Sequence, residues 1–215
     1  MNQFQPNTQF SVFPPAVKHL IIINGLFFVA RMTPGIDNIL MSFLALWPLQ
    51  AGIGLLPTDP MVFYPWQLLS YMFLHGGTGH IFFNLFALWI FGQSIENEWG
   101  TRRFVYYYIL TGVGAGLIHV LVNLGADAII PTIGASGAVY GILLAFAYMF
   151  PNREIFLIFL PVPIKAKYFV IIFGGMEFLI GVTGVQTGIA HFAHLGGMLV
   201  GYILIKLWRV RGGYN

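Results

Sequence analysis

Two short segments of this 215-residue chain combine a reactive side chain with glycine: Gly134-Ala135-Ser136-Gly137 and Ala193-His194-Leu195-Gly196-Gly197. Serine is a weak nucleophile until a base takes its proton. A neutral histidine can do that and later protonate the leaving amine. Both segments lie in stretches apolar enough to be membrane spans, where an ionisable residue is costly and functional by default. His80 and Asn84 are four apart and share a helix face, as do Ser136 and Tyr140; His191 and His194 are three apart. A tetrahedral oxyanion needs donors, and Asn84, His80 and the Ser136 backbone N–H at a helix start are the candidates. One such donor supplies ~3–4 kcal/mol of transition-state stabilisation. No Asp or Glu stands near the outer ends of the spans that carry these residues. The chemistry therefore reads as a Ser136–His194 dyad, with the Tyr140 ring orienting the imidazole in place of a carboxylate.

Each residue also has a packing explanation. A lone serine in a span bonds back to a carbonyl one turn earlier. Gly137 with Gly141, and Gly197 with Gly201, are small-xxx-small pairs that let helices approach closely. Close approach also serves chemistry, because it brings Ser136 near His194. His119 reads as structural, His75 as a residue at the mouth of the second span, His19 as interfacial and His191 as a neighbour of the site. Glu177 reads as bonding a polar neighbour rather than taking part in catalysis.

The elements that position these residues follow from composition. The chain is 58% hydrophobic and 8% charged, with a mean hydropathy of +0.80, whereas a soluble domain carries about a quarter charged residues. The expected class is an all-α polytopic membrane protein in contact with the lipid bilayer. Absence of cysteine removes disulfide and thiolate chemistry. The sequence pI of about 9.2 reflects where a membrane protein keeps its lysines and arginines, not nucleic-acid binding. A single membrane domain over 17–210 is expected, with short tails at 1–16 and 211–215. Met1 to Phe13 lacks a basic n-region, so the first span is expected to insert uncleaved.

Six spans are expected: Val17–Val29, Gly79–Gln93 (with a start as early as Trp66), Phe104–Val122, Ser136–Phe150, Tyr168–Val182 and Ile189–Trp208. Pro151 ends the fourth. Several are shorter than the roughly 20 residues of a full span, which suits a thinned membrane or helices that begin below its surface. The uncharged stretch Asn38–Leu56 could pass for a seventh. With six spans and both termini inside, nine of the ten lysines and arginines fall on the cytoplasmic side, Arg31 being the exception. A span at Asn38–Leu56 would destroy that asymmetry, so the segment is expected to lie in the outer leaflet. Spans two, four and six then run from outside to inside, and His80, Asn84, Ser136 and His194 share one level near their outer ends.

These residues resemble the rhomboid family of intramembrane serine proteases over about Pro65 to Trp208. His80-Ile81-Phe82-Phe83-Asn84 is similar to the family's H-x-x-x-N. Gly92, Glu96, Gly100 and Arg103 resemble its G-x3-E-x3-G-x2-R, placed in the cytoplasmic loop after the second span. Gly134-Ala135-Ser136-Gly137 with Tyr140 resembles the nucleophile motif, and His194, Gly197 and Gly201 resemble H-x-x-G-x-x-x-G. That register picks His194, not His191, as the base. The resemblance implies a six-span bundle of the compact bacterial type, with Asn38–Leu56 as a membrane-lying first outer loop. It also implies cleavage of single-pass membrane proteins near the outer face, without metal or nucleotide, in the bacterial inner membrane. Where many relatives carry Trp-Arg, this chain has Trp66-Gln67, which bears on loop anchoring.

Other classes fit less well. An α/β-hydrolase elbow is G-x-S-x-G, and Ala138 stands at its last glycine. No H-E-x-x-H occurs, which disfavours a metalloprotease, and Gly112 to Gly116 has no βαβ context for a dinucleotide. A transporter would show broken-helix repeats and charged pathway residues. A catalytically silent scaffold for membrane clients would lack the serine or the histidine, and both are present.

Overall fold

The computed structural model describes residues 10–54, 59–125, 129–157, 160–183 and 190–212. Helix α1 (Pro15–Arg31) begins with a proline, whose missing N–H costs nothing in a first turn. Its next two N–H groups, of Ala16 and Val17, donate to the two Glu96 carboxylate oxygens, both at 2.8 Å. Glu96 is 2% exposed and also accepts from the Thr101 hydroxyl at 2.7 Å. A carboxylate thus satisfies orphan donors at the positive end of a helix.

Glu96 lies on α4 (Thr78–Trp99), which is separated from α5 (Thr101–Val122) only by Gly100 at φ +79°. The expected loop for Gly92, Glu96, Gly100 and Arg103 is therefore two helices meeting at one residue. Only glycine takes that backbone conformation without strain. Arg103 follows one turn later. Its guanidinium lies over the rings of Trp99 and Trp208, 5.5 Å and 5.2 Å from their centroids, and donates to the Trp208 carbonyl at 3.2 Å. The motif fastens α1, α4, α5 and the tail of α8 (His191–Leu207) at one end of the bundle.

Between α1 and α4 runs a long connection. Helix α2 (Ile36–Leu44) has nine residues, about 14 Å of rise, against a hydrocarbon core of ~30 Å. A single 3₁₀ turn, Leu49–Ala51, follows, so nothing described within 38–54 is long enough to cross. Leu55 and Leu56 lie outside the described residues. Gln67, fully buried at the start of the short α3 (Gln67–Ser70), gathers this connection. Its side-chain oxygen accepts from the Trp47 and Tyr64 N–H groups and its amide donates to the Val62 carbonyl. The chain then breaks at Leu74–Gly77 before α4, so the helix does not begin near Trp66.

Helix α6 (Ser136–Met149) is the central element, packed against α4, α5 and α8. Glycine makes this packing possible. A Cβ on Gly197 would stand 1.8 Å from the Gly137 carbonyl oxygen, and one on Gly201 would stand 2.4 Å from the Tyr107 hydroxyl. That hydroxyl donates to the Gly141 carbonyl at 2.8 Å, and Tyr71 donates to Gly112 at the same distance. Tyrosine heads thus satisfy carbonyls along the seam.

After α6 the chain forms an antiparallel ribbon, β1 (Glu154–Leu157) with β2 (Leu160–Lys165), pairing Glu154 with Lys165 and Ile155 with Ile164. This departs from a purely α chain. Pro161 and Pro163 exclude a helix, and a two-stranded ribbon tolerates them because each strand has an unpaired edge. Helix α7 (Ala166–Thr183) precedes α8. Among the described helices, α5 and α7 are long and apolar enough to cross a membrane, while α6 and α8 are apolar but shorter.

Replacing Glu96 with alanine is expected to cost about 2–3 kcal/mol, because two helix N–H groups lose a charged acceptor. A thermal unfolding midpoint in detergent that is unchanged by Glu96→Ala would contradict this. His75 is 1% exposed, and its carbonyl accepts from Arg31. Burial first, then the neighbouring His80 and Arg31 charges, pushes its pKa down to about 4. The unfolded chain binds a proton near pH 6.5 that the fold rejects, so stability is complete above pH 6.5 and falls as pH drops toward 4, by about 3 kcal/mol. His75→Gln should flatten this acid sensitivity, measured as unfolding midpoints at pH 7 and pH 4.5; an unaltered slope would exclude His75 as its source.

Candidate active site

Ser136 is the first residue of α6 and has no side-chain cap before it. The first N–H groups of that turn have no intrahelical acceptor. Gly134, at φ +123°, shapes the approach, and its N–H donates to the Tyr71 carbonyl at 2.9 Å. A Cβ on Gly134 would meet His80 Nε2 at 2.6 Å, so glycine admits the His80 ring beside Ser136. His194 lies in the first turn of α8. The Gly137–Gly197 contact between α6 and α8 sets its Nε2 2.8 Å from Ser136 Oγ. With Nε2 as acceptor, the serine hydroxyl donates and the ring proton resides on Nδ1. The Tyr140 ring stacks on the imidazole, centroids 4.3 Å apart and planes within 6°.

His80 and Asn84 sit one turn apart on α4. The His80 Nδ1 accepts the Gly76 N–H at 3.3 Å, which leaves Nε2 to carry the proton on the side facing Gly134. Asn84 is 7% exposed, and its amide donates back to the His80 carbonyl at 2.9 Å. Asn84 shares with Ser136 and Tyr140 one end of a cavity of about 820 Å³. The cavity runs between α4 and α7, past Phe91, Phe169 and Phe173, to Ser94 and Arg153 at the other end. Arg153 donates to the Ser94 hydroxyl there, at 3.3 Å. The supporting glycines Gly137, Gly197 and Gly201 serve as packing surfaces, not as ligands.

The starts of α4, α6 and α8 carry no Asp or Glu, as expected, but the dyad expectation overlooked a carboxylate that α7 brings to His194, and the polar neighbours expected for it are present. Glu177, on α7, accepts from the Tyr140 hydroxyl at 2.5 Å through Oε1 and contacts His191 Nδ1 at 2.5 Å through Oε2. Oε1 also lies 3.0 Å from His194 Nδ1, although off the ring N–H axis, so that nitrogen has no aligned hydrogen bond. The signal was present in direction. α7 runs opposite to α6 and α8, so its C-terminal part returns to the level of their first turns. His191 contacts the Glu177 carboxylate. His119, by contrast, bonds Thr132 and Asn123 in the chain leading toward Gly134. Among the described residues no cluster of three or more potential ligands could hold a metal ion.

Ser136 at a helix start, His194 within hydrogen-bond reach of it and His80 with Asn84 on a third helix all lie inside one stretch of the chain that a family model covers. The rhomboid domain model matches residues 63–210. Similar proteins include the rhomboid protease GluP of Bacillus subtilis, 31% identical over 138 residues, covering 64% of this chain and 25% of that protein. The mitochondrial rhomboid protein 1 of Saccharomyces cerevisiae is 32% identical over 148 residues, covering 64% of this chain and 40% of its own. The mouse presenilin-associated rhomboid-like protein, mitochondrial, is 28% identical over 207 residues, covering 93% and 48% respectively. The chain spans from a quarter to under half the length of these three relatives. With two thirds of its length matched by the domain model, including every residue of the site, the chain belongs to the rhomboid family of membrane proteins.

Proposed function

We propose that this chain is an intramembrane serine endopeptidase that cuts other membrane proteins near the outer membrane face. The observation that carries this is the 2.8 Å approach of His194 Nε2 to Ser136 Oγ within an apolar bundle. In the proposed topology α1, α4, α5, α6, α7 and α8 are the six spans, both termini are cytoplasmic, and residues 36–54 lie in the outer leaflet. The proposed location is a bacterial inner membrane. The proposed substrates are single-pass transmembrane helices, whose unwound backbone would reach Ser136 from the cavity between α4 and α7.

The reaction follows from the proton positions. Ser136 Oγ attacks the substrate carbonyl carbon while His194 Nε2 takes the hydroxyl proton. The carbonyl oxygen becomes an oxyanion, held by the Ser136 N–H, His80 Nε2–H and the Asn84 amide once it turns from the His80 carbonyl. His194 then protonates the leaving amine, the C–N bond breaks, and an ester to Ser136 remains. Water, deprotonated by the same nitrogen, hydrolyses the ester and returns the proton to Oγ.

Labelling of detergent-solubilised protein by a fluorophosphonate is expected for the wild type and absent in Ser136→Ala and His194→Ala. Equal labelling of Ser136→Ala would remove the nucleophile assignment. No labelling of well-folded wild type would favour a catalytically silent scaffold. Asn84→Ala is expected to lower kcat on a transmembrane substrate by about 10²-fold, with KM little changed. A kcat equal to wild type with several substrates would remove Asn84 from the oxyanion site.

A further inference from the structure

We infer that Glu177 is a positioning residue for the base, making a Ser136–His194–Glu177 chain in which the carboxylate comes from α7; this rests on the protease reading above. For Nε2 to accept the serine proton, the imidazole must carry its own proton on Nδ1. That nitrogen is buried, and a buried N–H left without an acceptor is destabilising. Glu177 Oε1 stands 3.0 Å from it. The oxygen is off the N–H axis in the resting enzyme, a geometry that in catalytic sites tightens when charge develops. As Ser136 attacks, the ring becomes an imidazolium, and the carboxylate beside it offsets that charge in a region poor in water.

Two further contacts hold the carboxylate for this role. Tyr140 presses its ring on His194 and donates its hydroxyl to the same Oε1. His191, one turn before the base, holds Oε2. The side chains of Glu177, His191 and His194 are 12%, 8% and 9% exposed. A carboxylate serving only to fasten α7 would need none of the contact with Nδ1. The Tyr140 ring and Glu177 therefore divide the work: one fixes the plane of the imidazole, the other its tautomer.

The test uses the full chain in detergent. Glu177→Gln keeps the shape, but its amide N–H₂ can donate to Nδ1 and favour the Nε2–H tautomer, which cannot accept the serine proton. The expected result is a fall in kcat, and in the labelling rate at Ser136, of roughly 10²–10⁴-fold with KM within a few-fold. ¹⁵N-histidine NMR of the folded wild type, assigned against His194→Ala, is expected to show His194 protonated at Nδ1. This readout does not depend on activity or on whether Glu177→Gln folds. Wild-type kcat in folded Glu177→Gln, or an Nε2–H tautomer in the wild type, would overturn the assignment while leaving the protease reading intact. Absence of any serine labelling in folded wild type would overturn the protease reading and this assignment with it.

Discussion

The bundle depends on one close approach, that of Gly197 to the carbonyl of Gly137. Any side chain at position 197 would overlap that oxygen. Helices in hydrocarbon gain no hydrophobic force from meeting, so they associate through van der Waals contact and hydrogen bonds. Glycine maximises the first, and tyrosine hydroxyls on neighbouring backbones supply the second. The seam also sets the register of α8 on α6. Ser136 immediately precedes Gly137, and His194 lies three residues before Gly197. The same contact that joins the helices therefore sets Ser136 beside His194. Packing and the proposed chemistry are not alternative explanations of these glycines, since the one would produce the other.

The far end of the bundle is organised on different physics. There a buried carboxylate takes helix N–H groups, and an arginine lies over two indole rings. Charge is retained in an apolar environment because each charged group has fixed partners. Glu96 and Arg103 thus join α1, α4 and α5 to the residue that follows α8.

Much of this was legible in the chain itself. Ser136, His194, His80 and Asn84 could be set at one level on the expectation that alternate spans run in the same direction, and charge asymmetry argued against a span at 38–56. The nine-residue length of α2 agrees with that parity. What escaped was instructive. Comparing only the like-directed spans hid Glu177, which arrives from the opposite direction, where depth cannot be read from distance to a helix start. The β1–β2 ribbon escaped because its apolar run has no clean two-residue alternation, and only its prolines argue against a helix. The helical nature of the Glu96 motif escaped because the second span was expected to end at Gln93 and the residues after it were placed in a loop by resemblance alone. Gly92 in fact provides close contact, with Phe104, Val17 and Leu88 about it, and Gly100 a single-residue turn.

Helix α7 buries Ala166, Phe169 and Val170 near its start, while many of its later apolar residues face outward. Its far half is attached to α6 and α8 by the polar group around Glu177. Such a joint responds to its surroundings in the opposite sense to an oily one. It is stiff when dry, because the attraction between charge and donor is scarcely shielded, and it softens when water competes for each donor. In the proposed hydrolysis water would come to this same place, so the second reactant would also act as a plasticiser of the wall beside it, at the stage when the acyl group is attacked and the product leaves.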